Sequence, residues 1–273
     1  MLILIIIVIL SFVLMHSIQM FAFGSRVAGR MAKRVGLGTT LSETTNKLQG
    51  FFIILFLPTL AYLVESGITI YDYIIFVTVA YILSFLVSII MIMKIHSLQQ
   101  FYQVLFIKYN VNSIPVAILK SLINKKTDLN IKDCDGFTFD KVILKKTLVS
   151  CVAYIFLVTG FFSAFMLAVL FPENRLTFSQ FSTVVHGFGV VLFSFYLDPM
   201  LSRSIDSYLD EDTWLKNVYS ILLGRVFSYL FVLLSVTIFP LSIKGLSTVT
   251  CQNAKSSLSN ILQYLLSLNS PYN

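Results

Sequence analysis

The chain has 273 residues, of which 57% are hydrophobic and only 12% are charged, about half the charged share of a typical soluble domain. Its apolar residues are grouped in blocks of about 20, the length that an α-helix needs to cross a hydrocarbon core of about 30 Å. This composition excludes a soluble globular protein and predicts an integral membrane protein. The formal net charge is +7. The basic residues that produce it lie mainly in the segments between the blocks, where they indicate membrane topology and argue against a nucleic-acid partner.

Six apolar blocks follow one another along the chain, and each predicts one membrane-spanning helix. They comprise residues 2–23, 49–64, 70–93, 147–171, 178–198 and 218–241. Backbone in lipid must be helical or belong to a closed barrel, and the period-two pattern of a barrel is absent. We therefore predict an all-α fold, a polytopic transmembrane helical bundle that forms a single integral membrane domain over residues 1–273. No basic residue precedes the first block, so we expect it to be a retained anchor rather than a cleaved signal peptide.

Lysine and arginine are distributed unevenly between the two sides of this bundle. If both termini lie outside, the inner segments hold sixteen of the 20 basic residues and the outer segments hold only Arg175, Lys244 and Lys255. Because cytoplasmic loops carry the excess of basic residues, the distribution predicts that both termini are outside.

The one sizeable loop, residues 94–146, is predicted to be cytoplasmic. It contains two amphipathic stretches, at residues 98–109 and 114–122, that are typical of helices lying in the membrane interface or against a bundle. The predicted outer tail, residues 244–273, contains a further amphipathic run at residues 258–268.

Motifs of known enzyme chemistry are scarce in this sequence. Asp133-Cys134-Asp135 has the spacing of the acids with which many glycosyltransferases hold a metal and a nucleotide sugar, but the surrounding loop is too short for a nucleotide-binding domain. Phosphate-binding glycine loops and the HExxH and GxSxG motifs are absent. Cys134, Cys151 and Cys251 are too far apart to predict a disulfide framework or a zinc site. We therefore expect no enzyme activity, no metal and no cofactor.

A basic segment directly follows the first block. It sets Arg26, Arg30, Lys33 and Arg34 within nine residues, and a continuous helix would gather all four on one stripe. Such a cluster at a membrane face predicts an anionic neighbour, which is either bulk anionic phospholipid or a specific lipid-linked substrate.

Polar side chains inside the spans are the other candidates for function. A charge at the centre of a membrane helix costs roughly 2.5 to 3.5 kcal/mol on insertion scales, so Arg225 in the sixth block needs compensation. It either extends its stem towards the inner surface or faces a polar cavity, where Asp198 is its candidate partner. His16 and Gln19 lie one turn apart and therefore on one face of the first span. For His186 in the fifth block we expect a hydrogen-bonded packing role.

These considerations define one set of candidate substrate-binding residues. The set comprises His16, Arg26, Arg30, Arg34, Asp198 and Arg225. It would surround the inner half of the bundle with positive charge, which suits a pyrophosphate group that enters from the cytoplasm.

Three stretches of the chain resemble the Amj family of bacterial lipid II flippases, the alternate to MurJ. They are HSIQMFAFGSRVAGRMAKR, LDPMLSRSIDSYLD and ILLGRVFSYLFVLL. The matching residues are Arg26, Ala28, Gly29 and Arg34 in the first stretch, the pair Asp198-Pro199 in the second and the pair Gly224-Arg225 in the third. The resemblance implies a six-span protein of the bacterial plasma membrane that moves lipid II, an undecaprenyl-pyrophosphate-linked peptidoglycan precursor, from the inner to the outer leaflet.

The leading functional expectation is therefore a flippase that works by alternating access without ATP, and the small size of six spans favours a homodimer. Residues 39–49 are more polar than the corresponding region of the family, so another polyprenyl-linked saccharide is the alternative substrate. A different class of function is a non-transporting membrane scaffold of an envelope assembly complex, in which the basic segments only hold anionic phospholipids. A proton-coupled carrier of a small solute, based on His16, His186 and Asp72, is a third hypothesis.

Overall fold

The computed structural model describes residues 1–123, 142–206 and 211–246. The helices in these ranges are α1 (Leu2–Met31), α2 (Val35–Glu65), α3 (Ile70–Met93), α4 (Ile95–Tyr109), α5 (Ile114–Ile123), α6 (Leu144–Leu170), α7 (Arg175–Leu192), α8 (Asp198–Asp206) and α9 (Glu211–Leu246). A 3-10 turn, Pro172–Asn174, precedes α7, and a π-helical turn, Phe193–Leu197, joins α7 to α8. The chain divides into the units Met1–Val232 and Leu233–Asn273, and the side-chain contacts and cavities described below belong to the first.

Six helical segments are long and apolar enough to cross a membrane. They are Leu2–Met31, Val35–Glu65, Ile70–Met93, Leu144–Leu170, Pro172–Arg203 and Thr213–Val236. The predicted all-α, six-span architecture is confirmed, and the protein is a multi-pass membrane protein. The sidedness of the termini and the single domain over residues 1–273 stay predictions.

Two shorter helices correspond to the amphipathic stretches predicted in the long loop. α4 packs against α1 and α3, and α5 packs against α4. Tyr102 of α4 is buried in an apolar cluster with Ala28 and Leu41, and this burial raises the pKa of its hydroxyl. The Asp133-Cys134-Asp135 motif and the amphipathic run at residues 258–268 lie outside the described residues.

α1 and α2 form a helical hairpin whose turn lies in the basic segment. α1 ends at Met31, Lys33 adopts a left-handed φ of 55°, and α2 begins at Val35. The nitrogen of Arg34 donates a hydrogen bond to the oxygen of Gly29 over 2.7 Å, which closes the turn. The condition for one basic stripe, a continuous helix, is not met, because the helix is interrupted between Arg30 and Lys33.

The polar stretch at residues 39–49 is part of α2. The hydroxyls of Thr39, Thr40 and Thr44 each donate to a backbone oxygen four residues earlier, over 2.9 to 3.0 Å. Because these donors are satisfied within the helix, the second span begins at Val35 rather than at residue 49.

Glycines allow α1 and α2 to approach closely beside the turn. A Cβ atom on Gly38 would lie 2.8 Å from the Cα atom of Gly29 and 2.8 Å from the backbone oxygen of Ser25. The hydroxyl of Ser25 also donates to the oxygen of Gly38. Small residues of this kind are typical of close helix packing in membranes.

We predict that Gly38→Ala destabilises the protein, because the new methyl group meets backbone atoms that cannot rotate away. The expected loss is about 1 to 3 kcal/mol, the usual cost of overpacking, measured as a lower melting temperature in detergent. Gly36→Ala is the matched control, since nothing lies within 4 Å of its Cβ position and alanine is the better helix former. Equal melting temperatures for the two variants would contradict the close packing of this hairpin.

The fifth span does not end at Asp198 and Pro199 as predicted. The chain remains helical through the π-helical turn and α8 as far as Asp206. Proline lacks an N–H group and its ring collides with the carbonyl four residues earlier, so a wider turn directly before Pro199 accommodates it. Such turns are frequent at functional sites.

Aromatic rings from four helices meet in the outer part of the hairpin, away from the α1–α2 turn. The ring centroid of Phe12 lies 4.6 Å from that of Phe162, 5.5 Å from that of Tyr81 and 5.8 Å from that of Phe56. The hydroxyl of Tyr81 donates to the oxygen of Val158 over 3.3 Å, which ties α3 to α6. We call Phe12, Phe56, Tyr81 and Phe162 the aromatic plug, because all four are at most 2% exposed.

Candidate functional site

Arg225 is completely buried, and its hydrogen-bond partners are neutral. Its Nη2 atom donates to the backbone oxygen of His16 over 2.8 Å and to Oε1 of Gln19 over 2.8 Å. The guanidinium carbon also lies 4.9 Å from the centre of the Tyr154 ring, a cation–π contact. Because His16 and Gln19 lie near the middle of α1, Arg225 is held at mid-depth in the bundle and does not reach towards its surface.

The charge of Arg225 is incompletely compensated. No carboxylate of the described residues pairs with it, and its Nε and Nη1 atoms have no hydrogen-bond partner there. The suggested pairing of Arg225 with Asp198 is wrong. A buried cation without a counter-ion is costly, which makes this residue the strongest candidate for function in the chain.

Gly224 brings Arg225 into this position. A Cβ atom at residue 224 would lie 2.5 Å from the backbone oxygen of Thr147 and 2.6 Å from the Cβ atom of Ser150. The hydroxyl of Ser150 donates to the oxygen of Ile221 over 2.8 Å. α9 therefore lies directly against α6, which places the guanidinium of Arg225 over Tyr154.

Asp198 pairs with Arg26. Nη1 of Arg26 lies 2.8 Å from Oδ1 of Asp198, and the two side chains are 16% and 36% exposed. Nε of Arg26 donates to the hydroxyl of Ser42 over 3.2 Å. The pair therefore links α1 to α2 and to the first residue of α8, directly after the π-helical turn.

Two cavities adjoin this ion pair. The deep cavity, about 230 Å³, is lined by Gln19, Phe23, Asn46, Gln49, Tyr154, Leu157, Val190, Phe193 and Asp198. The turn-side cavity, about 180 Å³, is lined by Phe23, Arg26, Thr39, Glu43, Asp198, Leu201, Ser202, Trp214 and Val218. Phe23 and Asp198 line both cavities, so the ion pair lies at their boundary.

The cavities are stacked along α1 and α2. From the α1–α2 turn inwards, the order is the turn-side cavity, the ion pair, the deep cavity and then the layer formed by Gln19, Gln49 and Arg225. Beyond this layer lies the aromatic plug, where the ring of Phe12 lies 4.4 Å from the ring of His16. Among the described residues, polar groups therefore extend from the turn as far as Arg225, and the aromatic plug lies beyond them.

The remaining predicted residues lie elsewhere. Arg30 is in the last turn of α1, where a positive charge interacts favourably with the helix dipole. Nη1 of Arg34 donates to Oδ1 of Asn110 at the surface, over 3.2 Å. The structure therefore brings together His16 with Arg225 and Arg26 with Asp198, but not the six residues as one cluster. Their assignment to substrate binding stays a prediction.

His186 and Asp72 have local structural contacts. Nδ1 of His186 lies 3.1 Å from the oxygen of Leu157, and its ring stacks on Phe161 at 4.4 Å, as expected for a packing residue. Asp72 accepts a hydrogen bond from the hydroxyl of Thr69 over 2.7 Å at the start of α3. Both residues therefore have local structural contacts, and the proton-coupled carrier stays a hypothesis.

A family model described as Amj, Alternate to MurJ, matches residues 10–242 of the chain. The chain belongs to the Amj family. No curated protein and no solved structure matches it.

The stretches that resemble the Amj family meet in the folded protein. Arg26 of the first stretch forms the ion pair with Asp198 of the second, and Arg225 of the third bonds to His16 at the start of the first. Gly29 is explained by helix packing, since a Cβ atom there would lie 2.7 Å from the Cα atom of Gly38.

Sequence reasoning missed several residues of this candidate site. Tyr154, Asn46 and Gln49 line the deep cavity, and Ser42 accepts a hydrogen bond from Arg26. One signal was available: Asn46 and Gln49 repeat the three-residue spacing of His16 and Gln19, so each pair lies on one helix face. Tyr154 carries no such signal, because a tyrosine in an apolar block is indistinguishable from a packing residue.

Proposed function

We propose that this Amj-family protein is a flippase that moves lipid II from the inner to the outer leaflet of the bacterial plasma membrane. The observation that carries the proposal is Arg225, a fully buried guanidinium without a carboxylate partner among the described residues. An anionic group that passes along the path would provide the missing counter-charge. Arginine suits this role because its guanidinium group is planar, always charged and able to donate two parallel hydrogen bonds to phosphate oxygens.

The order of the groups supports entry from the side of the α1–α2 turn, which the excess of basic residues predicts to be cytoplasmic. Trp214 lines the turn-side cavity, and its buried Nε1 has no hydrogen-bond partner in the described part of the chain. Arg26 and this N–H group are donors for a pyrophosphate. Anionic phospholipids are the proposed neighbours of the surface residues Lys33 and Arg34, at about 1 kcal/mol for each basic residue.

The Arg26–Asp198 ion pair would act as the gate of this path. The turn-side cavity is lined by the carboxylates Glu43 and Asp198 but by one arginine, Arg26, so a pyrophosphate fits there only when Asp198 leaves Arg26. The π-helical turn that precedes Asp198 supplies a place at which α8 can shift. In this mechanism Arg26 takes up the pyrophosphate first, and Arg225 receives it as the aromatic plug opens.

The exposed side of the deep cavity suits a lipid-linked substrate. Val190 lines this cavity and is 45% exposed, so this residue of α7 lies between the cavity and the apolar surface of the helix. A polyprenyl chain can therefore remain in the bilayer while its head group moves through the bundle. A homodimer stays a prediction.

Two alternative functions can be distinguished from lipid II transport by experiment: transport of another saccharide, and a scaffold function. Asn46 and Gln49 come from the polar stretch at residues 39–49, which favours another polyprenyl-linked saccharide as the second candidate substrate. A scaffold function predicts that the folded protein moves no polyprenyl-linked lipid between the two leaflets.

We predict that the purified protein, reconstituted in liposomes without ATP, exposes labelled lipid II on the opposite leaflet. The measurement is the fraction of fluorophore destroyed by an external reductant that cannot cross the bilayer. Empty liposomes are the control, and rescue of cells depleted of their essential lipid II flippase is the cellular counterpart. Folded protein that leaves both lipid II and other polyprenyl-linked saccharides in place would support the scaffold instead.

A further inference from the structure

Three side-chain amides form one wall of the deep cavity. Nε2 of Gln19 donates to Oε1 of Gln49 over 2.8 Å, which links α1 to α2. Asn46 lies one turn from Gln49 on α2 and lines the same cavity. Oε1 of Gln19 is held in turn by Nη2 of Arg225 over 2.8 Å, so the buried guanidinium fixes the orientation of this wall.

The amide wall has unused hydrogen-bonding capacity. Oδ1 of Asn46 is buried without a partner among the described residues. Gln49 uses its oxygen for Gln19, and no hydrogen bond to the described residues occupies its amide nitrogen. Buried polar groups are normally satisfied, above all in a membrane. The unpaired buried acceptor is that of Asn46, and the amide nitrogen of Gln49 lies one turn away on α2, an arrangement that suits a ligand with both donors and acceptors.

Another part of the lining of the deep cavity is aromatic. Tyr154 and Phe193 line it, and their ring centroids are 5.7 Å apart. An aromatic face carries partial negative charge, which attracts the polarised C–H groups of a sugar ring and repels a phosphate. Among the described residues that line the cavity, Asp198 is the only charged one, and its carboxylate disfavours a resting position for an anion here.

We propose that the deep cavity is a saccharide subsite that binds an uncharged, N-acetylated sugar through Gln19, Asn46 and Gln49. Amides donate and accept at once, as do the hydroxyl and acetamido groups of such a sugar, and a few polar groups in an otherwise apolar pocket set its orientation. The inference rests on the proposed transport of a pyrophosphate-linked saccharide. It divides the head group between two places: the pyrophosphate lies at Arg26, and the sugar lies about 10 Å deeper, the rise of the seven residues of α1 from Gln19 to Arg26.

The test uses two lipids that both contain a pyrophosphate, only one of which carries a saccharide. The reconstituted full-length protein is assayed for exposure of fluorescent lipid II over a range of lipid II concentrations, and for inhibition by sugar-free undecaprenyl pyrophosphate. Asn46→Leu and Gln49→Met are the test variants, since both replace an amide by an apolar group of similar size. Gln100→Met, on the exposed side of α4, is the matched control.

We expect both test variants to raise the lipid II concentration for half-maximal rate at least about tenfold, the scale of one lost hydrogen bond to a ligand. The inhibition constant of undecaprenyl pyrophosphate should stay within twofold of the wild-type value, and Gln100→Met should change neither number. Unfolding cannot mimic this pattern, because a misfolded variant loses its response to both lipids.

Several results would overturn the inference. An unchanged half-maximal concentration in both variants excludes the saccharide subsite while wild-type transport still supports the proposed function. Equally weaker binding of both lipids would mean that the amides bind the pyrophosphate or stabilise the fold, and not that they bind the saccharide. Wild-type protein that does not expose lipid II removes the proposed function itself, together with the subsite.

Discussion

Arg225→Met is expected to abolish lipid II translocation while the protein remains folded. The substitution removes a buried charge but keeps a side chain of similar length beside Tyr154. Removal of the charge relieves a desolvation cost, whereas the oxygens of His16 and Gln19 lose a donor. These terms oppose each other, so we expect the free energy of unfolding to change by about 1 kcal/mol or less.

The translocation rate of Arg225→Met should fall at least about 100-fold, since the pyrophosphate loses its counter-charge at the deepest point of the path. The measurements are the initial rate of lipid II exposure in liposomes and the melting temperature in detergent. Arg175→Met is the matched control, because Arg175 lies at the start of α7 and its Nη1 atom donates to the backbone oxygen of Glu65 at the surface, over 3.3 Å. A variant that keeps more than half of the wild-type rate would remove Arg225 from the mechanism.

Exchange of the charges of Arg26 and Asp198 is expected to restore stability without restoring transport. Either single reversal, Arg26→Asp or Asp198→Arg, sets like charges opposite each other, so the melting temperature falls and lipid II exposure stops. The double variant re-forms an ion pair between α1 and α8. Because the pair is partly exposed, its contribution to stability is only about 1 kcal/mol, and loss of transport in a single variant cannot be explained by unfolding.

In the double variant, the positive charge is on α8 rather than on α1. We therefore expect the melting temperature to return to within a few degrees of the wild-type value and the exposure rate to stay below about a tenth. Asp198→Asn, which keeps Arg26 in place, is the control for the arginine alone. Full recovery of transport in the double variant would show that the pair only holds the helices together.

Much of the architecture was predictable because lipid imposes strict rules on sequence. A run of about 20 apolar residues has few structures available to it in a bilayer, so the six spans were recognisable. The ends of the spans were less so. The start of α2 at Val35 was missed because threonine hydroxyls can bond to their own helix, which makes a polar stretch compatible with helix. The continuation of the fifth span past Pro199 was missed because a π-helical turn absorbs the proline.

Part of the candidate site was recognisable as individual residues, but the contacts between them were not. Arg26, Asp198 and Arg225 were recognisable as charges in or beside apolar blocks, and the family resemblance singled out the same positions. Their pairing was wrong. Asp198 was assigned to Arg225 because both face the inner side of neighbouring blocks, whereas the structure gives Asp198 to Arg26, 172 positions away along the chain.

The sequence by itself determined the all-α class, the number of spans, the membership of the Amj family and the presence of an unusually placed arginine, because hydrophobic blocks and isolated charges are properties of composition and order. Only the tertiary structure decided which charges meet, that Gly38 and Gly224 let neighbouring helices approach closely, and that Gln19, Asn46 and Gln49 share one cavity wall. The physical reason is that the rotation of each helix about its axis is set by side-chain packing against the other helices. A helix rotated by half a turn would have the same hydropathy, but Arg225 would face lipid instead of His16 and Tyr154.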